Sequence, residues 1–226
     1  EFSEGITHFL IHEGSRLVVV ACNTASAAAL HSLRDTFPKI PFVGMEPAVK
    51  PAAEMTQTGV VGVLATPATF QGALYSSVVE RFAKGVMILQ NTCPGLVTEI
   101  EGGRLDGAKT RAILEDALHP MLAAGIDTVV MGCTHYPFVI PLIEAIIQNY
   151  PGSPEVRVID PAQAIARQTG RMLAAHGLSI ESPNPAPMRF ITSGEPASLQ
   201  RLLPELLGID GDVNKATWQD GQLIQG

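Results

Sequence analysis

Residues 18–27 read VVVACNTASA, and residues 129–138 read VVMGCTHYPF. Each is an apolar run, then one small residue, then a cysteine with a threonine close behind. Runs of Val and Met without polar alternation are the pattern of strands covered on both faces, as in a parallel sheet. Similar candidate strands fall at 16–21, 41–44, 60–65, 86–90, 127–132, 156–159 and 188–192. Helical patterns lie between them at 24–36, 47–56, 68–83, 108–124, 138–149, 161–176 and 196–207. Strands alternating with helices predict βαβ units, right-handed crossovers and helices on both sheet faces. The expected fold class is α/β: two similar domains with mainly parallel sheets and the site in the cleft between them.

Local signals fit that plan. Thr24 or Ser26 is placed to cap the helix after the first strand, and Thr66 precedes Pro67 at another helix start. Gly125 and Gly177 are expected to end helices. The stretch SPNPAP, 182–187, reads as a surface loop, because proline suits neither a helix interior nor a central strand. The chain opens without methionine inside a helical pattern carried by Phe2, Ile6, Phe9 and Leu10. That opening reads as a fragment, or as a chain whose true beginning is absent.

The 226 residues are 46% apolar, enough to bury a substantial core. Fifteen basic residues against 22 acidic ones give a net charge of −7. Nucleic acid is a poor partner for such a chain, which lacks a basic face. No run approaches the ~20 apolar residues of a membrane span, and no signal peptide opens the chain. Three cysteines are too few and odd in number for a disulfide framework, which points to a reducing, cytoplasmic setting.

Cys22 and Cys133 each follow a buried parallel strand by one residue or so. Ligands of open α/β sheets bind at that edge. The helix N-terminus beyond each strand is expected to lower the thiol pKa and to hold a carboxylate. Asn23, Thr24 and Thr134 add side-chain donors. Two thiols on opposite sides of one carbon would remove a proton from one face and deliver one to the other, inverting the centre with no cofactor and no metal. Two blander readings stand beside this one: buried small hydrophobes, or a metal site including His135, which lacks Cys-x-x-Cys spacing. Cys93, in NTCPG, reads as structural. So do Tyr136 and Pro137, while Glu46 suits a helix start with no further role.

ACNTAS (21–26), EPAVK (46–50), LATPAT (64–69) and GCTHYPF (132–138) together resemble the glutamate racemases of the aspartate/glutamate racemase superfamily. The resemblance runs over nearly the whole chain. It implies interconversion of L- and D-glutamate without a cofactor, supplying D-glutamate for peptidoglycan and cell shape in a bacterial cytoplasm, by a protein that is commonly a homodimer. It places the catalytic cysteines on Cys22 and Cys133, substrate contacts on Asn23, Thr24, Thr134 and His135, and assistance to the neighbouring thiol on His135. It also implies an auxiliary carboxylate in CPGLVTEIEGG (93–103), with Glu101 the better match and Glu99 the alternative. By the family's topology the first domain is 1–47 with 162–226, and the second 48–161.

The family opens with an Asp-Ser-Gly strand and a Pro-Tyr-Gly segment that this chain does not contain, so weak activity or none is expected of it alone. The same cysteines would also serve an aspartate or hydantoin racemase, or survive in an inactive binding protein on this fold.

Overall fold

The structure, a computed structural model, describes residues 1–152, 155–180 and 187–225. The chain divides into two compact units. One comprises Glu1–Val19, Ala29–Val43 and Arg167–Gly226, and the other Val20–Ala28 and Gly44–Ala166. All seven expected strands are present.

In the second unit the elements follow in order: α3 (Val49–Met55), β3 (Val60–Leu64), α4 (Pro67–Phe70), α5 (Ala73–Phe82), β4 (Met87–Asn91), α6 (Leu96–Glu101), α7 (Ala108–Ala123), β5 (Thr128–Met131), a 3-10 turn (Tyr136–Val139), α8 (Ile140–Asn149) and β6 (Arg157–Ile159). Its sheet has the order β4-β3-β5-β6, parallel throughout, with Val61 opposite Ile88 and Thr128. Alternate residues feed two cores. Leu64, Val129 and Met131 pack with Leu96 and Ile100 of α6, Leu114 and Leu118 of α7, and Ile143 of α8. Val61, Val63 and Val130 face the other way, with Val49 of α3 and Tyr75 and Val78 of α5. Side chains that alternate across a sheet buried on both sides explain why these strands read as unbroken apolar runs.

The opposite, N-terminal edge of this sheet is tied by Asp127. Its carboxylate accepts from Thr56 Oγ1 (2.6 Å), Gln57 N (2.5 Å), Thr58 N (2.9 Å) and Thr128 Oγ1 (3.1 Å). Burial pushes its pKa up, but these hydrogen bonds outweigh that and hold it at about 2 instead of the ordinary 3.8. A depressed folded-state pKa adds stability that is fully present above the unfolded value and is lost as pH falls through the folded one. The stability difference between the native protein and Asp127→Asn, read by thermal unfolding, should be flat above about pH 5 and shrink between about 4 and about 2. A difference independent of pH would contradict this account.

The first unit holds α1 (Phe2–His12), β1 (Val18–Val19), β2 (Phe42–Val43), β7 (Phe190–Thr192), α10 (Pro196–Leu207), β8 (Val213–Gln219) and β9 (Gln222–Gln225). β1 and β2 pair in parallel; β8 pairs in parallel with β7 and antiparallel with β9. Trp218 of β8 meets the Phe2 ring edge-on at 5.3 Å. Helix α2 (Asn23–Thr36) starts in one unit and ends in the other, and most of α9 (Ala162–Ala175) belongs to the first unit.

Several expectations change. The helix expected over 68–83 is two helices, interrupted at Gln71–Gly72. The one expected over 138–149 begins as the 3-10 turn that contains Pro137. Neither Thr24 nor Ser26 caps α2: Ser26 Oγ donates to Val20 O and accepts from Met45 N, and Thr24 turns elsewhere. The expected domain bounds differ from the observed division chiefly at Val20–Ala28, which carries Cys22 and groups with the second unit. The bonds of Ser26 to Met45 and of Thr24 to Thr66 explain that grouping. The loop expected at 182–187 lies, apart from Pro187, outside the described residues.

Candidate active site

Within the second unit, the C-terminal ends of the parallel strands carry the candidate groups. β5 ends at Met131, and Gly132 then sets Cys133 at its tip. Thr66 stands in the same place beyond β3. β4 leads through Asn91 and Cys93 into α6, whose last residue is Glu101.

Cys133 is 9% exposed, its sulfur 3.9 Å from His135 Nδ1. His135 Nε2 lies 3.0 Å from Glu101 Oε1. With Nε2–H donating to that carboxylate, Nδ1 is left as an acceptor facing the thiol. Burial pushes the Cys133 thiol up, and the charges of Cys22 and Glu101 push the same way. Hydrogen bonds from the backbone N–H groups of His135 and Tyr136 pull it down, but the net direction is upward. This corrects the expectation of a lowered thiol. The turn after Cys133 is 3-10, so α8 begins only at Ile140, too far on for its dipole to offset desolvation.

Of the two candidate carboxylates, only Glu101 meets His135. Glu99 is buried and bound by Arg104 Nε (2.5 Å) and Lys109 Nζ (2.9 Å), which hold its carboxyl at about 2.

Cys22 lies just before α2 and is exposed, with the backbone N–H of Ala25 donating to its sulfur at 3.5 Å. Charge on Cys22 is among the influences that raise the Cys133 thiol, and Thr24, two residues on, bonds Thr66 beyond the end of β3, the strand beside β5. Substituting Cys22→Ser removes that charge. Alkylation of Cys133 by iodoacetamide at a fixed, mildly alkaline pH should then speed up, because the thiol ionises more readily. Peptide mass spectrometry reads the rate, and an unchanged rate would mean that the thiols do not sense each other.

Asn23 is 3% exposed, and neither Oδ1 nor Nδ2 of its side chain has a hydrogen-bond partner. Thr24 Oγ1 joins a ring of three hydroxyls with Thr66 Oγ1 (2.9 Å) and Thr69 Oγ1 (3.0 Å), the last two also 3.0 Å apart. Three hydroxyls have three protons, and the ring uses them all. Thr24 can therefore donate to a ligand only if one ring bond opens. Thr134 is half-buried beside Cys133. The sequence reading missed Thr66 and Thr69 as partners of this cluster. The signal was the position of Thr66 past β3, matching that of Cys133 past β5.

Cys93 is buried at 2% exposure with φ +44°, and its N–H donates to Asn91 Oδ1 at 2.8 Å. Burial first, then the charges of Cys133 and Asp116, push its thiol up to about 12. Tyr136 is buried and donates to Thr92 O at 3.1 Å. Among the described residues no three His, Cys, Asp or Glu side chains gather as a metal-binding set, and no helix is long and apolar enough to cross a membrane.

Comparison with known proteins matches residues 3–169 to the Asp/Glu/hydantoin racemase family. A glutamate racemase of Pseudomonas aeruginosa is 47% identical over 95% of this chain and 79% of its own length. One from Pseudomonas paraeruginosa is 46% identical over the same shares. Among solved structures, a glutamate racemase isoform of Bacillus anthracis superposes with a TM-score of 0.80 at 28% identity, covering 98% of this chain and 80% of that one. The Escherichia coli glutamate racemase, solved with L-glutamate and the activator UDP-MurNAc-ala, gives 0.76 at 30% identity, over 98% and 79%.

Proposed function

The chain belongs to the Asp/Glu/hydantoin racemase family and is an isomerase, and from that premise we propose that it interconverts L- and D-glutamate with Cys22 and Cys133 as alternating base and acid. The observation that carries this reading is geometric: Thr24, two residues after Cys22, bonds Thr66 beyond the end of β3, and β3 is the strand paired with β5, whose tip bears Cys133. One base and one acid are what inversion requires. The raised thiol of Cys133 starts as the acid, and Cys22 as the base. In the reverse direction the exposed Cys22 takes a proton from solvent and serves as the acid, while Cys133 passes its proton to Nδ1 of His135, whose Nε2–H is held by Glu101, and serves as the base.

The orphaned amide of Asn23 supports a ligand with both donors and acceptors, such as an α-amino acid. Thr24, through an opened hydroxyl ring, and Thr134 are the further substrate contacts of this scheme. Relatives named glutamate racemase support glutamate over aspartate or a hydantoin. The product, D-glutamate, would feed peptidoglycan synthesis in a bacterial cytoplasm, and the working form would be a homodimer. Assaying glutamate and aspartate side by side tests the substrate: racemisation of glutamate alone is expected, and turnover of aspartate at equal rate would sink the assignment.

A further inference from the structure

Glu101 is 61% exposed on its side chain, yet it is the residue that meets His135. A solvated carboxylate on a flexible stem gains little from one such pair, and ordering it costs entropy. Its helix, α6, has only six residues, too few to be stable alone. Something must hold the end of α6 where Glu101 can reach the imidazole.

The residues for that task stand next to it. Arg104 Nε binds the buried carboxylate of Glu99, one turn back on the inner side of α6, and Lys109 binds the other oxygen. The same guanidinium donates to Thr98 O and Gly102 O, both at 3.4 Å. Thr98 O already accepts the N–H of Gly102 at 3.0 Å, so the guanidinium is its second donor, while Gly102 O lies just past the last residue of α6. The Arg104 backbone closes the turn, N–H to Glu99 O at 2.9 Å, and Thr110 Oγ1 donates to Arg104 O. A Cβ added to Gly102 would collide with the guanidinium, so Arg104 lies flat against that glycine. Glu99 also occupies both cations, Arg104 and Lys109, that would otherwise compete with His135 for Glu101.

We propose that Arg104, laid over Gly102 and anchored on Glu99, is a positioning residue that holds the end of α6 so that Glu101 fixes the tautomer of His135 beside Cys133. The inference rests on the assignment of His135 and Glu101 above, but not on turnover. Arg104 acts through Glu101 and touches no substrate.

The test follows the His135 imidazole in 15N-labelled protein by long-range 1H–15N spectra, with no substrate present. Native protein should show a protected Nε2–H. Glu101→Gln should lose most of that protection. Arg104→Ala should lower it about two- to fivefold, the range set by a partly exposed pair. Gly102→Ala should do the same, since the new methyl group displaces the guanidinium while leaving every charge in place. It decides the matter if Arg104→Ala fails to fold. Adding Arg104→Ala to Glu101→Gln should change nothing further, because both act on one contact. Unchanged protection in folded Gly102→Ala or Arg104→Ala overturns the proposal, as does full additivity in the double variant. An intact imidazole signature in a protein that racemises nothing would instead count against the proposed function alone.

Discussion

Cys22→Ala and Cys133→Ala, each made in the full-length protein, are expected to lower kcat for racemisation by about a thousandfold or more in both directions. General acid–base catalysis contributes about a hundred- to ten-thousandfold per positioned group. In the proposed scheme the loss of either group impairs both directions, because a proton must leave one face of the carbon and arrive at the other. A serine in either place should do little better, since its hydroxyl ionises far less readily than a thiol. Polarimetry from each enantiomer separately reads the rates. If either alanine variant keeps activity within about tenfold of native, it lacks the loss that even one catalytic group would cause, and the paired-thiol scheme fails.

Gly132→Ala should have the largest effect on stability of the substitutions considered. A Cβ there would lie 2.7 Å from Ala65 Cβ and 2.9 Å from Leu64 O. Both atoms are fixed to the neighbouring chain, and Gly132 N–H already donates to Leu64 O at 2.7 Å. No flexible side chain is available to give way. Overpacking of this kind costs about 1–3 kcal/mol, which for a chain of this size lowers the melting temperature by several degrees. Because Cys133 is the next residue, the spreading of the two chains also displaces its sulfur. A misplacement of about 1 Å can cost about a hundredfold in rate, so kcat should fall together with the melting temperature. A Gly132→Ala protein as stable and active as the native one would contradict the packing described for this edge.

The strands of the second unit were legible because their residues are buried on both faces, so apolar runs and strands coincide. β8 and β9 escaped notice for the opposite reason. In VNKATWQ only Ala216 is buried, and alternation with one buried residue carries almost no signal. Helix α6 was missed because the turn leading into it sets Cys93 and Gly95 at positive φ, a backbone path that sequence patterning does not announce. Of the site, the two cysteines and their threonine neighbours were visible as motifs. The resemblance preferred Glu101 to Glu99, but the physical reason was not visible, because nearby residues of one helix point in different directions. Glu99 turns inward to Arg104 and Lys109, and Glu101 outward to His135. The sign of the Cys133 shift was also out of reach, since it depends on burial outweighing two backbone hydrogen bonds.

Turnover of L-glutamate in deuterated water, stopped at low conversion, tests the opposed-thiol scheme most directly. The account predicts that D-glutamate forms with deuterium at the α-carbon, while the recovered L-glutamate keeps its original hydrogen. D-glutamate that retains the substrate's own α-hydrogen, or L-glutamate that gains deuterium as fast as product forms, would mean that a single base serves both faces.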